Sequence, residues 1–339
     1  MRHRNNHTIA SCIMIMLASG ICGLAQSSME PVYVNFIVDM DLPPQATLDQ
    51  VETGKSDLYN IFNEMNSQKM RWNLFLTKEA ADKARLLLAQ IVLGNQATGT
   101  VEMGISGNHS YEKLSTQSYS EQQSILKDTK AYVEYTKICG INEVHAMGFL
   151  PQSFDQNEDT YKVLDDLGMK YDAGFQAGIL YAPGHETDVW PYKVTNHKFY
   201  AVPVSSHMFS GELMPLNDRY AKDNGVSSSQ WKDMLIGKFN EISGKDEPMV
   251  ISLSTSISGS GEYLDALKQF IAFAASNDAE FVSSSDLVNM SITGVHDFSG
   301  ATSAENAQTA ENASFVCTTC DSTTNANLSE AISNEPVNL

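Results

Sequence analysis

The sequence predicts an α/β fold, a β/α barrel of about seven to eight strands followed by a disordered C-terminal tail. Three observations predict it. Strand-like and helix-like patterns alternate along the chain, residues 30–290 have an ordinary globular composition, and the last 40 or so residues lose almost all large apolar side chains. Alternating strands and helices build parallel strands wrapped by helices, either as a barrel or as an open sheet.

The predicted strands are short apolar runs bounded by turn residues. The first, residues 32–38 (VYVNFIV), lies between Pro31 and an acidic turn. The predicted strands are residues 32–38, 72–76, 100–105, 144–149, 169–173, 199–204, 249–253 and 279–282.

The predicted helices show apolar residues at helical spacing between capping and terminating residues. In the first of them Leu58, Ile61 and Met65 share one face, and a later helix begins after Asn157 and ends at Gly168. The predicted helices are residues 57–68, 78–93, 120–138, 157–167, 229–242 and 263–275.

The N-terminus has the pattern of a secretory signal peptide over residues 1–25. Arg2 and Arg4 precede an apolar run at residues 9–24, and small side chains then favour cleavage after Ala25. The run is shorter than the roughly 20 apolar residues of a membrane-spanning helix. Ile21 stands where a small residue normally precedes a lipidated cysteine, which disfavours a lipid anchor at Cys22. We therefore expect an exported protein, extracellular or associated with the cell envelope.

The chain is strongly acidic, with a formal net charge of −19. Cleavage after Ala25 would leave 20 basic and 41 acidic side chains, a net charge near −21. A field of this sign repels phosphate backbones and anionic membrane surfaces. We expect no nucleic-acid partner, and no membrane span once the signal peptide is removed.

Between the signal peptide and the tail, residues 26–295 are long enough for one large domain. Residues 296–339 are rich in Ala, Ser, Thr and Asn, a composition typical of a disordered spacer. Cys317 and Cys320 form a CxxC pair in this tail, for which a local disulfide or an attachment point is the simplest reading. Cys139 is expected to be a buried apolar residue.

In parallel β/α folds the chemistry lies where strands end and the loops toward helices begin. This rule selects residues 39–41 after the first strand and residues 106–110 after the third. It also selects Leu150 with Pro151, and residues 254–256.

These positions and the segments around them resemble the polysaccharide deacetylase (NodB-homology) family. Residues 107–111 (GNHSY) are similar to the family's GNHTxxH loop, residues 148–151 (GFLP) to its FRPP motif, and residues 167–172 (LGMKYD) to its LGYKYD-like turn. The resemblance covers roughly residues 30–290 and is most specific in the middle third. It implies a distorted NodB-like barrel and metal-dependent removal of acetyl groups from N-acetylglucosamine units.

When the family's motifs are compared with this sequence residue by residue, the resemblance assigns two of the family's roles. Asp39 fits the catalytic base and His109 fits the first metal-binding His. In the family a divalent cation, commonly zinc, is held by an Asp and two His, with positions left open for water and the acetyl oxygen.

At other positions of these motifs, this sequence has residues that differ from those with a role in the family. Met40 stands in place of the metal-binding Asp, and Lys113 in place of the second metal His. Leu150 replaces the Arg that orients the base, and Ser254 replaces the His that protonates the leaving amine. An ammonium group has no lone pair to give a metal. The resemblance therefore implies a degenerate metal site and no resident cofactor.

One rearrangement would restore part of the site. Asp39 and Asp41 are two residues apart, so an extended strand places them on the same side. Asp41 and His109 could then bind zinc together with a third ligand, for which the candidates are His145, His185, His197 and His207. The simpler reading makes the two aspartates a turn and His109 a hydrogen-bonded loop residue.

Three functions remain open from the sequence. The first is a non-catalytic or weakened relative that binds glycans with N-acetylglucosamine-like units in a groove. The groove residues would be Tyr111, Pro151, Trp190 and Tyr192, because aromatic faces suit the apolar faces of sugar rings. The second is an active metal-dependent deacetylase with a rearranged site, and the third is a structural surface protein.

Overall fold

A computed structural model describes residues 31–134 and 144–294 of the chain. The predicted signal peptide, Cys139 and the tail with its CxxC pair lie outside the described residues. In the two described ranges, no helix combines the length and the apolar character needed to cross a membrane.

The described residues form one large sheet and a separate hairpin. The strands are β1 (Val32–Met40), β2 (Trp72–Thr77), β3 (Val101–Gly107), β4 (Ala146–Phe149), β5 (Tyr171–Gln176), β6 (Tyr192–Lys193), β7 (Tyr200–Val204), β8 (Ser206–Phe209), β9 (Glu212–Pro215), β10 (Met249–Ser254) and β11 (Ala279–Phe281). The large sheet has the order β10-β1-β2-β3-β4-β5-β7-β6, with β11 beside β1, and β8 pairs with β9. Apart from the antiparallel pair of β6 and β7, neighbours in the large sheet run parallel. The predicted β/α barrel is confirmed, and all eight predicted strands are present.

The sheet curls until β7 approaches β10, and the chain after β7 bridges the gap. The N–H of Ser205 donates to the carbonyl of Val250 at 2.9 Å, and the Ser205 hydroxyl accepts from the N–H of Val250 at 3.0 Å. Leu216 continues the bridge, since its carbonyl accepts from the N–H of Ser252 at 2.9 Å. The barrel therefore closes through single residues, which makes it a distorted barrel.

Helices surround the barrel. They are α1 (Leu48–Ser67), α2 (Lys78–Lys83), α3 (Arg85–Thr98), α4 (Tyr119–Glu134), α5 (Glu158–Leu167), α6 (Asp218–Asp223), α7 (Ser228–Ile242), α8 (Thr255–Ser258), α9 (Gly261–Ala275) and α10 (Ser284–Thr293). Helix α1 begins well before predicted residue 57, because Thr47 and Gln50 form a capping box. The predicted helix 78–93 is two helices separated at Ala84.

The amino-terminal half of the barrel interior is polar. Asn35 donates to Asn73 at 2.8 Å, and the Tyr171 hydroxyl donates to Glu102 at 2.6 Å. Helix α10 joins this network, because the N–H of Ser284 donates to Asn73 at 2.9 Å. The network fixes α10 under the barrel, so the open end of the barrel is the carboxyl edge of the sheet.

Candidate functional site

A cavity of about 220 Å³ lies at the carboxyl edge of the barrel. We call it the carboxyl-edge cavity. Its walls come from the ends of β1 and β10, the loop after β3, the turn after β4 and helix α6. The residues that line it are Asp39, Tyr111, Leu150, Pro151, Gln152, Ser153, Phe154, Gln176, Asn217, Arg219, Tyr220, Asp223, Ser252 and Ser254. Among the sequence-predicted site residues, Asp39, Tyr111 and Pro151 therefore share one cavity.

Asp39 is half-buried near the end of β1 and is held by neutral donors. Gln152 Nε2 donates to Asp39 Oδ2 at 3.0 Å, and the Ser106 hydroxyl donates to Oδ1 at 3.3 Å. Burial, together with the charge of Asp41, raises the pKa of Asp39 to about 7. Asp39 can therefore hold or release a proton near neutral pH.

Asp41 lies just beyond β1 and makes an ion pair with Arg219. The Arg219 Nη2 donates to Asp41 Oδ2, and the Thr255 hydroxyl and the N–H of Ser256 each donate to Oδ1 at 3.0 Å. The Asp41 side chain is 4% exposed and the Arg219 side chain 28% exposed. Both oxygens of Asp41 are thus occupied by donors of the protein itself.

A series of contacts along the cavity joins the two aspartates. Gln152 bridges from Asp39 to the backbone of Tyr111, whose N–H donates to Gln152 Oε1 at 3.3 Å. The Tyr111 hydroxyl accepts from Arg219 Nη1 at 3.2 Å, and Arg219 returns to Asp41. The orientation of each polar group on this wall is therefore set by its neighbours.

Helix α6 brings Arg219 to the cavity. Its N-cap Asn217 accepts from the N–H of Tyr220 and donates to the Ser252 hydroxyl at 3.0 Å. Asp218 is fully buried beneath and accepts from the Ser258 hydroxyl at 2.7 Å and from the N–H of Ser254. Burial raises the pKa of Asp218 to about 7. These contacts to β10 and α8 fix the start of the short helix.

His109 faces a different depression, which Lys78, Glu79, Asp82, Asn108 and Tyr132 also line. Its Nδ1 lies 3.0 Å from the Ser110 carbonyl, and its Nε2 lies 3.9 Å from Glu112 Oε1. Glu112 is buried and accepts from the N–H of Asn108 at 2.6 Å, which holds this loop. The loop therefore keeps the resemblance to the family motif while its imidazole does not line the cavity with Asp39.

Trp190 and Tyr192 lie toward the amino-terminal half of the barrel. The Trp190 ring packs against Tyr33 with centroids 6.3 Å apart, and its N–H donates to the Asp246 carbonyl at 3.1 Å. Tyr192 stacks on His185 at 3.9 Å. Tyr33 is the second residue of β1, whereas Asp39 is near its end. The structure therefore does not bring these two aromatic residues to the carboxyl-edge cavity.

The other histidines considered as a third metal ligand have acidic partners or positions elsewhere. His185 pairs with Asp188, His197 with Asp165, and His207 with Glu241. His145 lines a depression with Arg71, Glu102 and Ser283, at the opposite end of the barrel.

The residues at the carboxyl edge do not fit a divalent cation. Met40 is fully buried in the core, Asp41 is paired with a guanidinium, and His109 faces another depression. Across residues 31–134 and 144–294, no three His, Cys, Asp or Glu side chains lie close enough to share a metal ion. A cation placed at Asp41 would also have to displace or repel Arg219.

Sequence reasoning missed Arg219, Gln152 and Asn217. The chain has only three arginines after residue 25, and a scarce guanidinium in an acidic chain is the one signal that could have drawn attention to Arg219. Helix α6 is too short for a periodic pattern, and Gln152 acts through a contact 113 residues away in sequence.

Comparisons with known proteins identify relatives of the fold. The sequence matches no family model and no curated protein. A solved structure assigned as a polysaccharide deacetylase from Mycobacterium smegmatis is 16% identical, covers 80% of this chain and 93% of that chain, and has a TM-score of 0.61.

Two further solved structures are similar to a comparable degree. One assigned as a polysaccharide deacetylase from Pseudomonas aeruginosa PAO1 is 12% identical, covers 76% of this chain and 90% of that chain, and has a TM-score of 0.60. The structure of Puue allantoinase is 12% identical, covers 78% of this chain and 91% of that chain, and has a TM-score of 0.60. The chain thus has the fold of polysaccharide deacetylases, a fold that it shares with an allantoinase.

Proposed function

We propose that this chain is an exported, deacetylase-like β/α-barrel protein that binds N-acetylated glycans in the carboxyl-edge cavity and has little or no deacetylase activity. One observation carries the proposal. The aspartates at the end of β1 are satisfied by the protein's own donors, Gln152 and Arg219 above all, beside a cavity that stays open.

The lining of the cavity suits a saccharide. Gln152, Gln176 and Asn217 offer amide groups that both donate and accept hydrogen bonds, as sugar hydroxyl and acetamido groups require. Tyr111 and Tyr220 add aromatic side chains, and these residues are 53% and 44% exposed. A few polar groups among apolar and aromatic side chains are typical of small-ligand sites.

A metal-dependent hydrolase with a rearranged site is the second candidate. The observation that favours it is the pKa of Asp39, about 7, which suits a general base near neutral pH. The geometry favours the binding function, because the metal that this reaction would require has no fitting set of ligands among the described residues.

The test measures binding and turnover on the same preparation. Isothermal titration calorimetry compares N-acetylglucosamine tetrasaccharide with its deacetylated counterpart, and an acetate-release assay is run with zinc, cobalt or nickel. We expect binding of the acetylated sugar without acetate release. Asp39→Ala should weaken binding, while His185→Ala, which changes an imidazole away from the cavity, should not.

Each other result selects a different function. Metal-stimulated acetate release that Asp39→Ala and His109→Ala both abolish would establish the active hydrolase and sink the binding-only proposal. Neither binding nor release by the folded protein would instead support a structural surface component.

A further inference from the structure

The wall of the carboxyl-edge cavity contains unusual backbone. Tyr111, Ser153 and Phe154 all line the cavity, and their φ angles are 63°, 56° and 57°. A positive φ brings the β-carbon of an ordinary residue close to its own backbone, so bulky residues rarely adopt it. Such conformations persist where the surrounding structure holds them, often at ligand sites.

Tyr111 is held at both ends. Its N–H donates to Gln152 Oε1 at 3.3 Å, and its hydroxyl accepts from Arg219 Nη1 at 3.2 Å. The guanidinium carbon of Arg219 lies 5.6 Å from the centroid of the Tyr111 ring, in cation–π range. The orientation of the ring is therefore fixed before any ligand arrives.

Tyr111 as a residue is nonetheless 53% exposed. An aromatic side chain fixed in a strained backbone and left half in water gains little for the fold itself. A prearranged ring loses little conformational freedom on binding, and this favours affinity. Tyr111 therefore has the features of a ligand contact that the fold prepares.

We propose that Tyr111 is a stacking platform for the flat face of a pyranose ring, and that Gln152 and Arg219 are its positioning residues. This inference rests on the proposed glycan-binding function and names the residue that selects the sugar. An equatorially substituted pyranose presents only axial C–H groups on its faces, and these complement the π-face of tyrosine. The amides of Gln176 and Asn217, which also line the cavity, are then placed to bond the equatorial groups at the ring edge.

The decisive variant is Tyr111→Gly, because glycine accepts a positive φ without strain. We expect its melting temperature to equal or exceed that of the wild type, while affinity for N-acetylglucosamine tetrasaccharide falls about tenfold or more. Tyr111→Phe keeps the ring and should stay within about threefold of wild type. Tyr59→Ala removes a tyrosine that is 48% exposed on α1, and should leave affinity unchanged.

A second measurement reports the stacking itself. In proton NMR of the sugar, the axial ring protons should move upfield on binding to the wild type and to Tyr111→Phe, but not to Tyr111→Gly. Gln152→Ala should weaken binding and reduce the upfield shift together, since it frees the Tyr111 backbone.

The outcomes separate the two proposals. Suppose that the wild type binds the sugar without an upfield shift and that Tyr111→Gly binds it within about twofold as tightly. This result would overturn the stacking platform and leave glycan binding intact. No binding by the wild type would overturn both.

Discussion

At the scale of single residues, the ion pair of Arg219 and Asp41 decides what the carboxyl edge can do. Asp41 has the position that the sequence offers for a replacement metal ligand, and the structure gives both of its oxygens to protein donors. The positive charge beside Asp41 is that of the Arg219 guanidinium. We therefore expect the Asp41 carboxylate to hold the wall of the cavity rather than a metal ion.

Arg219→Gln should lower the free energy of unfolding by about 2–3 kcal/mol, because it leaves the buried charge of Asp41 without its partner. The double variant Arg219→Gln with Asp41→Asn should recover most of that loss. Urea denaturation measures both. Arg85→Gln breaks an ion pair whose side chains are 55% and 51% exposed and should cost less than about 0.5 kcal/mol. An additive double variant would mean that the two residues do not interact.

At the scale of elements, the four neighbouring strands β2, β3, β4 and β5 pack together around the side chain of Tyr171. The ring of Tyr171 crosses the barrel from β5 to hydrogen-bond Asn73 and Glu102, and it packs edge-on against Phe75. A β-carbon on Gly148 of β4 would lie 2.1 Å from ring atoms of Tyr171. The glycine in β4 is therefore a requirement of the neighbouring strand, and it makes room for the polar network that anchors α10.

Gly148→Ala should lower the free energy of unfolding by about 1–3 kcal/mol, because the Tyr171 ring has to shift out of its hydrogen bonds. Chemical denaturation measures the loss. Gly94→Ala is the matched control, since the nearest atom to its added carbon is 3.7 Å away and alanine favours the helix. A neutral Gly148→Ala would show that the ring has more room than the structure gives it.

At the scale of the whole molecule, the half-buried Asp39 and the buried Asp172 and Asp218 give the stability of the barrel a dependence on pH. The pKa values of Asp39, Asp172 and Asp218 are raised from an ordinary value of 3.8 to about 7, and burial is the largest cause in each case. Between these values the folded state holds protons that the unfolded state has lost. The contribution of these three carboxyl groups to the free energy of unfolding is fully present below about pH 4 and is lost as the pH rises through 7.

Asp172→Asn should make the free energy of unfolding less dependent on pH, because it removes a fully buried group that titrates. The Oδ1 of Asp172 accepts from the N–H of Gly174 at 2.7 Å, and the side-chain oxygen of asparagine can accept the same hydrogen bond. The wild type should lose up to about 1.4 kcal/mol per pH unit and per group between about pH 5 and pH 7. Denaturation curves at several pH values measure the slope. Asp265→Asn, on the exposed side of α9, should keep the wild-type slope. Equal slopes for wild type and Asp172→Asn would contradict the assignment.

The sequence by itself determined the fold class. Alternating apolar runs and amphipathic segments are local patterns, so they located all eight predicted strands and the helix capped at Asn157. It also predicted, from the resemblance to the family motifs, that Met40, Lys113, Leu150 and Ser254 stand at positions where the family has other residues.

Only the tertiary structure decided how the site is assembled. Arg219 meets Asp41 across 178 residues, and Gln152 meets Asp39 across 113, so no local pattern could pair them. The direction of a side chain is likewise a tertiary property. His109 faces away from Asp39 because its loop is held by Glu112, and Trp190 packs at the other half of the barrel because its partners are Tyr33 and Asp246. Strand positions follow from local patterns along the chain, whereas a site depends on contacts that form only when distant segments pack together.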